Sequence, residues 1–310
     1  MQTFLTPEPV VLELRNAAGE IHVDLTDTTV TTVDVTFTGS RRGGFDDMLG
    51  ELFRSWNGRR GGSWSPFADG PGASDTAEGG TTTAEHAGPD PVDQVRVEHR
   101  PSDDGPDVLV VDTDPAREGR RGAFVVRVTA PLDSGVRIRS QSAPVTVTGP
   151  ADRVEVRSAS GDVRLAHTRG RTVAQTASGD VSLESSTGDV DLRSASGDVR
   201  VGRVEGAAVL HSTSGSVRID EAGGDVSVRN VSGDVRVGDA VAGKAEIHAV
   251  SGDVEIGVHA GSVARLDLRT VSGRTDTDFE VRDEQPAADA PQLDIRVKTT
   301  SGDIRLRRAA

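Results

Sequence analysis

Nine positions, each three residues ahead of a serine that opens a Ser-Gly-Asp-like turn, are nearly all basic: Arg139, Arg157, Gln175, Arg193, His211, Arg229, His248, Arg269 and Lys298. Cations at a constant offset within a repeat suit the capture of a polymer that carries anions at regular intervals. Arg139, Arg157, Arg193, His211, Arg229, His248 and Arg269 are therefore the candidate polyanion-binding stripe. A second, less regular basic set follows the same serines by four residues: Arg164, Arg200, Arg218, Arg236 and Arg305. Between the two sets fall the turn aspartates Asp162, Asp180, Asp198, Asp234, Asp253 and Asp303. The plainest reading is structural, because alternating columns of opposite sign relieve the repulsion between stacked like charges. A linear site for an acidic polymer such as an acidic polysaccharide is the functional reading. Calcium in the aspartate column is a third, and a poorer one. Calcium-binding nonapeptide rolls carry a second glycine and place their apolar residue two after the aspartate, whereas here Val follows Asp directly.

Catalytic constellations do not emerge. The histidines, at positions 22, 86, 99, 167, 211, 248 and 259, include no metal-ligand pair at helical spacing. His211 and His248 share one column two coils apart, about 10 Å by strand spacing, too far to chelate one ion. The serines belong to turns and none sits in a nucleophile elbow. The absence of cysteine excludes disulfides and thiolate metal sites. No cofactor and no metal are expected, and the chain reads as a non-enzyme.

The elements that must hold these columns are legible from the repeat. The turn recurs at Ser160, Ser178, Ser196, Ser214, Ser232, Ser251, Ser272 and Ser301, with a degenerate copy at Ser142-Ala143-Pro144-Val145. Half-way copies at Thr187-Gly188-Asp189 and Gly223-Gly224-Asp225 make the unit nine residues, two units to a coil of about 18. After each turn two apolar residues flank a polar one, as in Val163/Leu165, Val181/Leu183, Val217/Ile219, Val235/Val237 and Ile304/Leu306. Val154/Val156, Val190/Leu192, Val226/Val228 and Leu266/Leu268 do the same in the other half-coil. Period-two alternation buries one face, and a single coil cannot bury that face alone. The expected fold is all-β, a single-stranded parallel β-helix of eight or nine coils. It is taken as right-handed by analogy with most parallel β-helices. The run Asp303-Ile304-Arg305-Leu306 is expected to form an uncovered end.

The Ser-Gly-Asp-Val-Arg-Val units and the run from Ala264-Arg265-Leu266-Asp267-Leu268 to Thr300-Ser301-Gly302-Asp303-Ile304 carry a family resemblance. So does the opening, Phe4 to Val23 with Gly19-Glu20-Ile21. The chain resembles the adhesin-labelled family of bacterial β-helical repeat proteins, domain of unknown function 4097. The resemblance covers most of the chain outside residues 39–91. It implies a β-helical fold and brings no catalytic residues with it.

The expected organisation is 1–38, strands that start or cap the solenoid; 39–91, an insertion; 92–130, strands completing the cap; and 131–310, the solenoid repeats. Such a cap keeps an open sheet edge from pairing with other chains. Within the insertion, Phe45, Met48, Leu49, Leu52, Phe53 and Trp56 fall on one face of a predicted helix, 45–56. The Gly-, Pro- and Thr-rich stretch 63–91 after it reads as a disordered linker. The helix has three readings: a cap on its own solenoid, a handle for a protein partner's groove, or a membrane contact. A net charge of -14 argues against nucleic acid and anionic membrane surfaces. No stretch approaches the roughly 20 apolar residues of a membrane span. The opening residues lack a basic segment followed by an apolar run, so a cytoplasmic location is expected.

The leading functional reading is a noncatalytic binding or scaffold module for a protein partner or an acidic polymer. A self-assembling structural protein, stacked end to end as a homo-oligomer, is the alternative. A polysaccharide-acting enzyme is the remote one.

Overall fold

The computed structural model describes residues 1–39, 90–102, 105–114, 122–279 and 292–309. In it the repeat becomes two long sheets of 13 and 12 strands. Each coil contributes one strand to each sheet. Val190–Ser196 lies in the twelve-stranded sheet, and Val199–Val204, across the Gly197 turn, lies in the thirteen-stranded one. The following coil, Ala208–Ser214 and Val217–Ala222, stacks on it in parallel and in register, with Leu192 beside Leu210 and Val201 beside Ile219. The inward residues of both sheets meet in one aliphatic core. Leu192, Leu210, Ile219, Val228 and Ile247 are fully buried, and burying each such side chain is worth about 1.5–3 kcal/mol.

The turn glycines have two reasons to be glycine. Gly197, Gly215 and Gly233 sit at φ 150°, 139° and 126°. A Cβ on any of them would lie 2.3–2.4 Å from the glycine carbonyl oxygen of the preceding coil. The corner is thus drawn together until backbone touches backbone. Beneath it runs an inner column of small polar residues, two of which hold the turn. Asn230 Nδ2 donates to the carbonyls of Gly233 at 2.7 Å and Gly215 at 3.3 Å. Ser194 Oγ donates to that of Gly179 at 3.4 Å.

The order of coils in space departs from their order in sequence at both ends. Strands Val11–Asn16 and Gly19–Thr26 form a coil that packs directly against Gly135–Ser140 and Val145–Ala151. The later coil, Val108–Asp112 and Ala123–Pro131, stacks outside it. At the other end, Gln292–Ser301 and Ile304–Arg308 slide between Gly243–Ser251/Val254–Val258 and Val263–Ser272/Thr275–Thr277. The expectation that Asp303–Leu306 is an uncovered end is corrected: that run is covered on both sides, and residues 263–277 form the terminal coil. Nine coils fall within residues 135–308, within the expected eight or nine, and the two amino-terminal coils bring the stack to eleven among the described residues, about 50 Å long at ~4.8 Å per coil.

Beyond residues 108–131 the pairing turns antiparallel. Val30–Thr38 lies on Ala123–Pro131, Gln2–Leu5 on Val30–Thr38, and Arg96–Arg100 on Val108–Asp112. Phe37 packs its ring 5.0 Å from that of Phe124 across this junction. The predicted helix 45–56, with Phe45, Met48, Leu49, Leu52, Phe53 and Trp56, lies outside the described residues. Among the described residues no helix is long and apolar enough to cross a membrane.

Candidate functional site: a cationic groove along the twelve-stranded sheet

In-register stacking turns the constant offset in sequence into a column in space. Its order is Arg15, Arg139, Arg157, Gln175, Arg193, His211, Arg229, His248, Lys298 and Arg269. The rungs are about 4.8 Å apart, the strand spacing. All seven predicted stripe residues fall in this one column. Arg15 extends it, and the intercalated coil places Lys298 between His248 and Arg269.

From Arg157 onward the column forms one wall of an open groove of ≈ 1140 Å³. The backbone places the next residue of each strand inward, so the floor is the buried column that includes Thr176, Ser194, Ser212, Asn230 and Thr299. The residue after that faces out again and builds the opposite wall: Ala177, Ala195, Thr213, Val231, Val250, Thr300 and Val271. This second wall is mostly apolar and exposed, Val231 to 46%, Val250 to 49% and Val271 to 84%. One side of the groove offers cations and the other aliphatic carbon.

The cations are not equally available. Several pair with the acid two residues back on the same strand face: Arg157 with Glu155 (3.0 Å), Arg193 with Asp191 (3.0 Å), His248 with Glu246 (3.0 Å) and Arg269 with Asp267 (2.9 Å). Lys244 and His248 both donate to Glu246 and hold its carboxyl down to about 2. Arg139, His211, Arg229 and Lys298 have Arg137, Val209, Ser227 and Arg296 at the position two back. None of the four has an ion-pair partner among the described residues. His211 is held below the ordinary histidine range, first by partial burial and then by Arg193 and Arg229 on the adjoining rungs. An anion laid across these rungs would reverse the second effect.

The aspartate column does different work. Asp162 Oδ1 accepts the backbone N–H of Asp180, Asp180 that of Asp198, and Asp198 that of Ser216, at 2.9–3.1 Å. Asp234, Asp253 and Asp303 continue this with Asp253, Asp303 and Arg274, each at 2.9 Å. The half-way copies repeat the device: Asp189 accepts from Ala207 and Asp225 from Lys244. Each carboxylate therefore ties its coil to the next. The other oxygen often takes an arginine of the second basic set, as in Arg164–Asp162 (3.0 Å), Arg200–Asp198 (2.6 Å) and Arg305–Asp303 (3.2 Å). That set shares the rungs Arg200, Arg218 and Arg236 in succession. Among the described residues no group of three His, Asp or Glu side chains is placed to hold a metal ion.

Two parts of the site escaped the reading of the sequence. Arg15 has a visible signal, since Arg15-Asn16-Ala17-Ala18-Gly19-Glu20-Ile21 matches Arg193-Ser194-Ala195-Ser196-Gly197-Asp198-Val199 position by position. The apolar wall shows in the repeat as the residue just before each turn serine, an outward position that drifts from Ala to Val along the chain.

Two parallel sheets wound from 18-residue coils, with a cationic groove on one of them, define a two-sheeted β-solenoid. The Toastrack DUF4097 family model matches residues 120–307, and the chain belongs to that family. No curated protein matches it. Among solved structures it is similar to a "putative cell adhesion protein" from Clostridium sporogenes at 9% identity, over 99% of this chain and 98% of that one, with a TM-score of 0.22.

Proposed function

We propose that the chain is a noncatalytic binding module whose groove takes a linear acidic polymer, with an acidic polysaccharide as the best chemical fit. The observation that carries this reading is the column from Arg15 to Arg269, a basic line interrupted only at Gln175, on a chain of net charge -14. Sugar rings present carboxylate or sulfate on an edge and C–H on a face, which suits a groove with one cationic and one aliphatic wall. Arg229 and Lys298 are the groove rungs best placed to meet the polymer, because their charge is not already met by the neighbouring strand position; Arg139 stands just beyond the groove, and His211 joins them when protonated. The acids nearest the groove, Glu155, Asp191, Glu246 and Asp267, are all engaged in ion pairs, which favours holding over cleavage.

Heparin and polygalacturonate are suitable probes, with neutral dextran as control. Both acidic polymers are expected to bind at low ionic strength, and the affinity to fall as salt rises. Binding of dextran as tightly as of the acidic polymers, or none of any, would sink the reading. Shortening of either polymer on prolonged incubation would overturn its noncatalytic part.

A further inference from the structure

The two ends of the stack are finished differently. At the amino-terminal end the outermost strands are short, Gln2–Leu5 and Arg96–Arg100, and the second is filled by the charge cluster Arg96–Glu98–Arg100. Short, charged edges resist further pairing. The far end stops on Val263–Ser272, ten residues long, hydrogen-bonded on one side only, to Gln292–Ser301. Its inward residues Ala264, Leu266 and Leu268 are only partly buried, although Leu293, Ile295 and Val297, one rung deeper, are buried to 2% or less. Among the described residues no further strand covers the core there.

The outward residues of this edge strand alternate Arg265, Asp267, Arg269. Asp267 is paired with Arg269. Arg265 is exposed and has no ion-pair partner among the described residues. We propose that this edge binds a second copy of the chain, tail to tail, by antiparallel pairing about a two-fold axis through Leu266.

Geometry and charge choose both the symmetry and the register. A two-fold axis normal to the sheet sets the edge strand against its own copy, antiparallel, and keeps inner face against inner face. The two open cores then become one. With the axis through Leu266, each Arg265 stands opposite Asp267 of the other copy, and Ala264 opposite Leu268. Moving the axis to Asp267 would set Arg265 against Arg269, two like charges. Moving it to Leu268 would oppose Asp267 and Arg269, which already pair within one strand, and leave Arg265 with no acid beyond its own neighbour Asp294. Of these registers only the first gives Arg265 an acid across the junction. The interface is isologous and closed, so assembly ends at two copies and does not run on into a filament.

The test is sedimentation or light scattering of the full chain over a range of concentrations. Dimers are expected. Asp267→Arg, which places like charges together twice, should raise the dimer dissociation constant at least about tenfold. The exchange Arg265→Asp with Asp267→Arg should recover most of that loss. Because the chain has no cysteine, Arg265→Cys and Asp267→Cys copies can be mixed and oxidised. A disulfide joining the two variants, in excess over either with itself, reports the register directly. A monomer at every concentration, a dimer indifferent to Asp267→Arg, or filaments in place of dimers would each overturn the proposal.

Discussion

The aspartate corner and the groove beside it repeat with the same period on the same coils, yet their charges are engaged in different ways. At the corner each carboxylate accepts a backbone N–H from the next coil, so the charge is a fastening between rungs. In the groove no basic side chain holds backbone. Some lean on an acid two residues away, and Arg139, His211, Arg229 and Lys298 lean on none among the described residues. A periodic column of charge is therefore not a site by virtue of its period. What separates fastening from binding surface is whether the polar atoms already have partners inside the fold.

That contrast can be broken from either side. The largest effect belongs to the corner itself: Gly233→Ala forces a Cβ to 2.4 Å from the Gly215 carbonyl oxygen at φ 126°, and should cost about 2–4 kcal/mol in chemical denaturation. Next, Asp198→Ala removes the acceptor of the Ser216 N–H and the partner of Arg200. It should destabilise by about 1 kcal/mol and leave heparin affinity unchanged. The opposite signature is expected of Arg229→Ala: stability unchanged within about 0.5 kcal/mol, heparin affinity lower by roughly tenfold. If Asp198→Ala weakened heparin binding, or Arg229→Ala unfolded the chain, the division between the two columns would fail.

The smallest effect is one of pH. His211 faces Arg193 and Arg229 on the adjoining rungs and Asp191 on the neighbouring column, and its folded pKa is depressed. The folded chain therefore disfavours the protonated ring. Its contribution to stability is full above the free value of about 6.5 and is lost as pH falls through the lower folded value. A bound polyanion raises that pKa, so binding should take up a proton and heparin affinity should climb as the solution is acidified below about 6.5. In His211→Gln the climb should be shallower, with affinity at about pH 8 little altered. Equal slopes in the two proteins would remove His211 from the ligand's path.

Much of this was written plainly in the chain. Period-two alternation located the inward aliphatics, and the turn triplets fixed coil length, register and every member of the basic column from Arg139 onward. The intercalation of coils was harder to see, because Ser272 and Ser301 fit on Ser251 equally well when judged by the turn alone. Its trace lies in residue type: Thr275 and Thr277 stand where the coil beneath has Ile304 and Leu306. Hydroxyl-bearing side chains at core positions suit a coil that has no neighbour on one side. The groove's depth was not legible, since it depends on how the strand leaves the sheet at the corner, a property of stacked backbone.

Intercalation also sets a clock. Residues 263–277 leave the ribosome before residues 292–308, yet in the finished fold their strands pair, among the described residues, only with those later ones. For that interval the earlier segment must wait, while every coil from 135 to 258 can dock on a predecessor already made. A nascent chain stalled just after Thr277 has cleared the exit tunnel is expected to be protease-resistant from residue 135 through residue 258 and cleaved beyond it. Resistance should extend to residue 277 only once Arg308 has emerged.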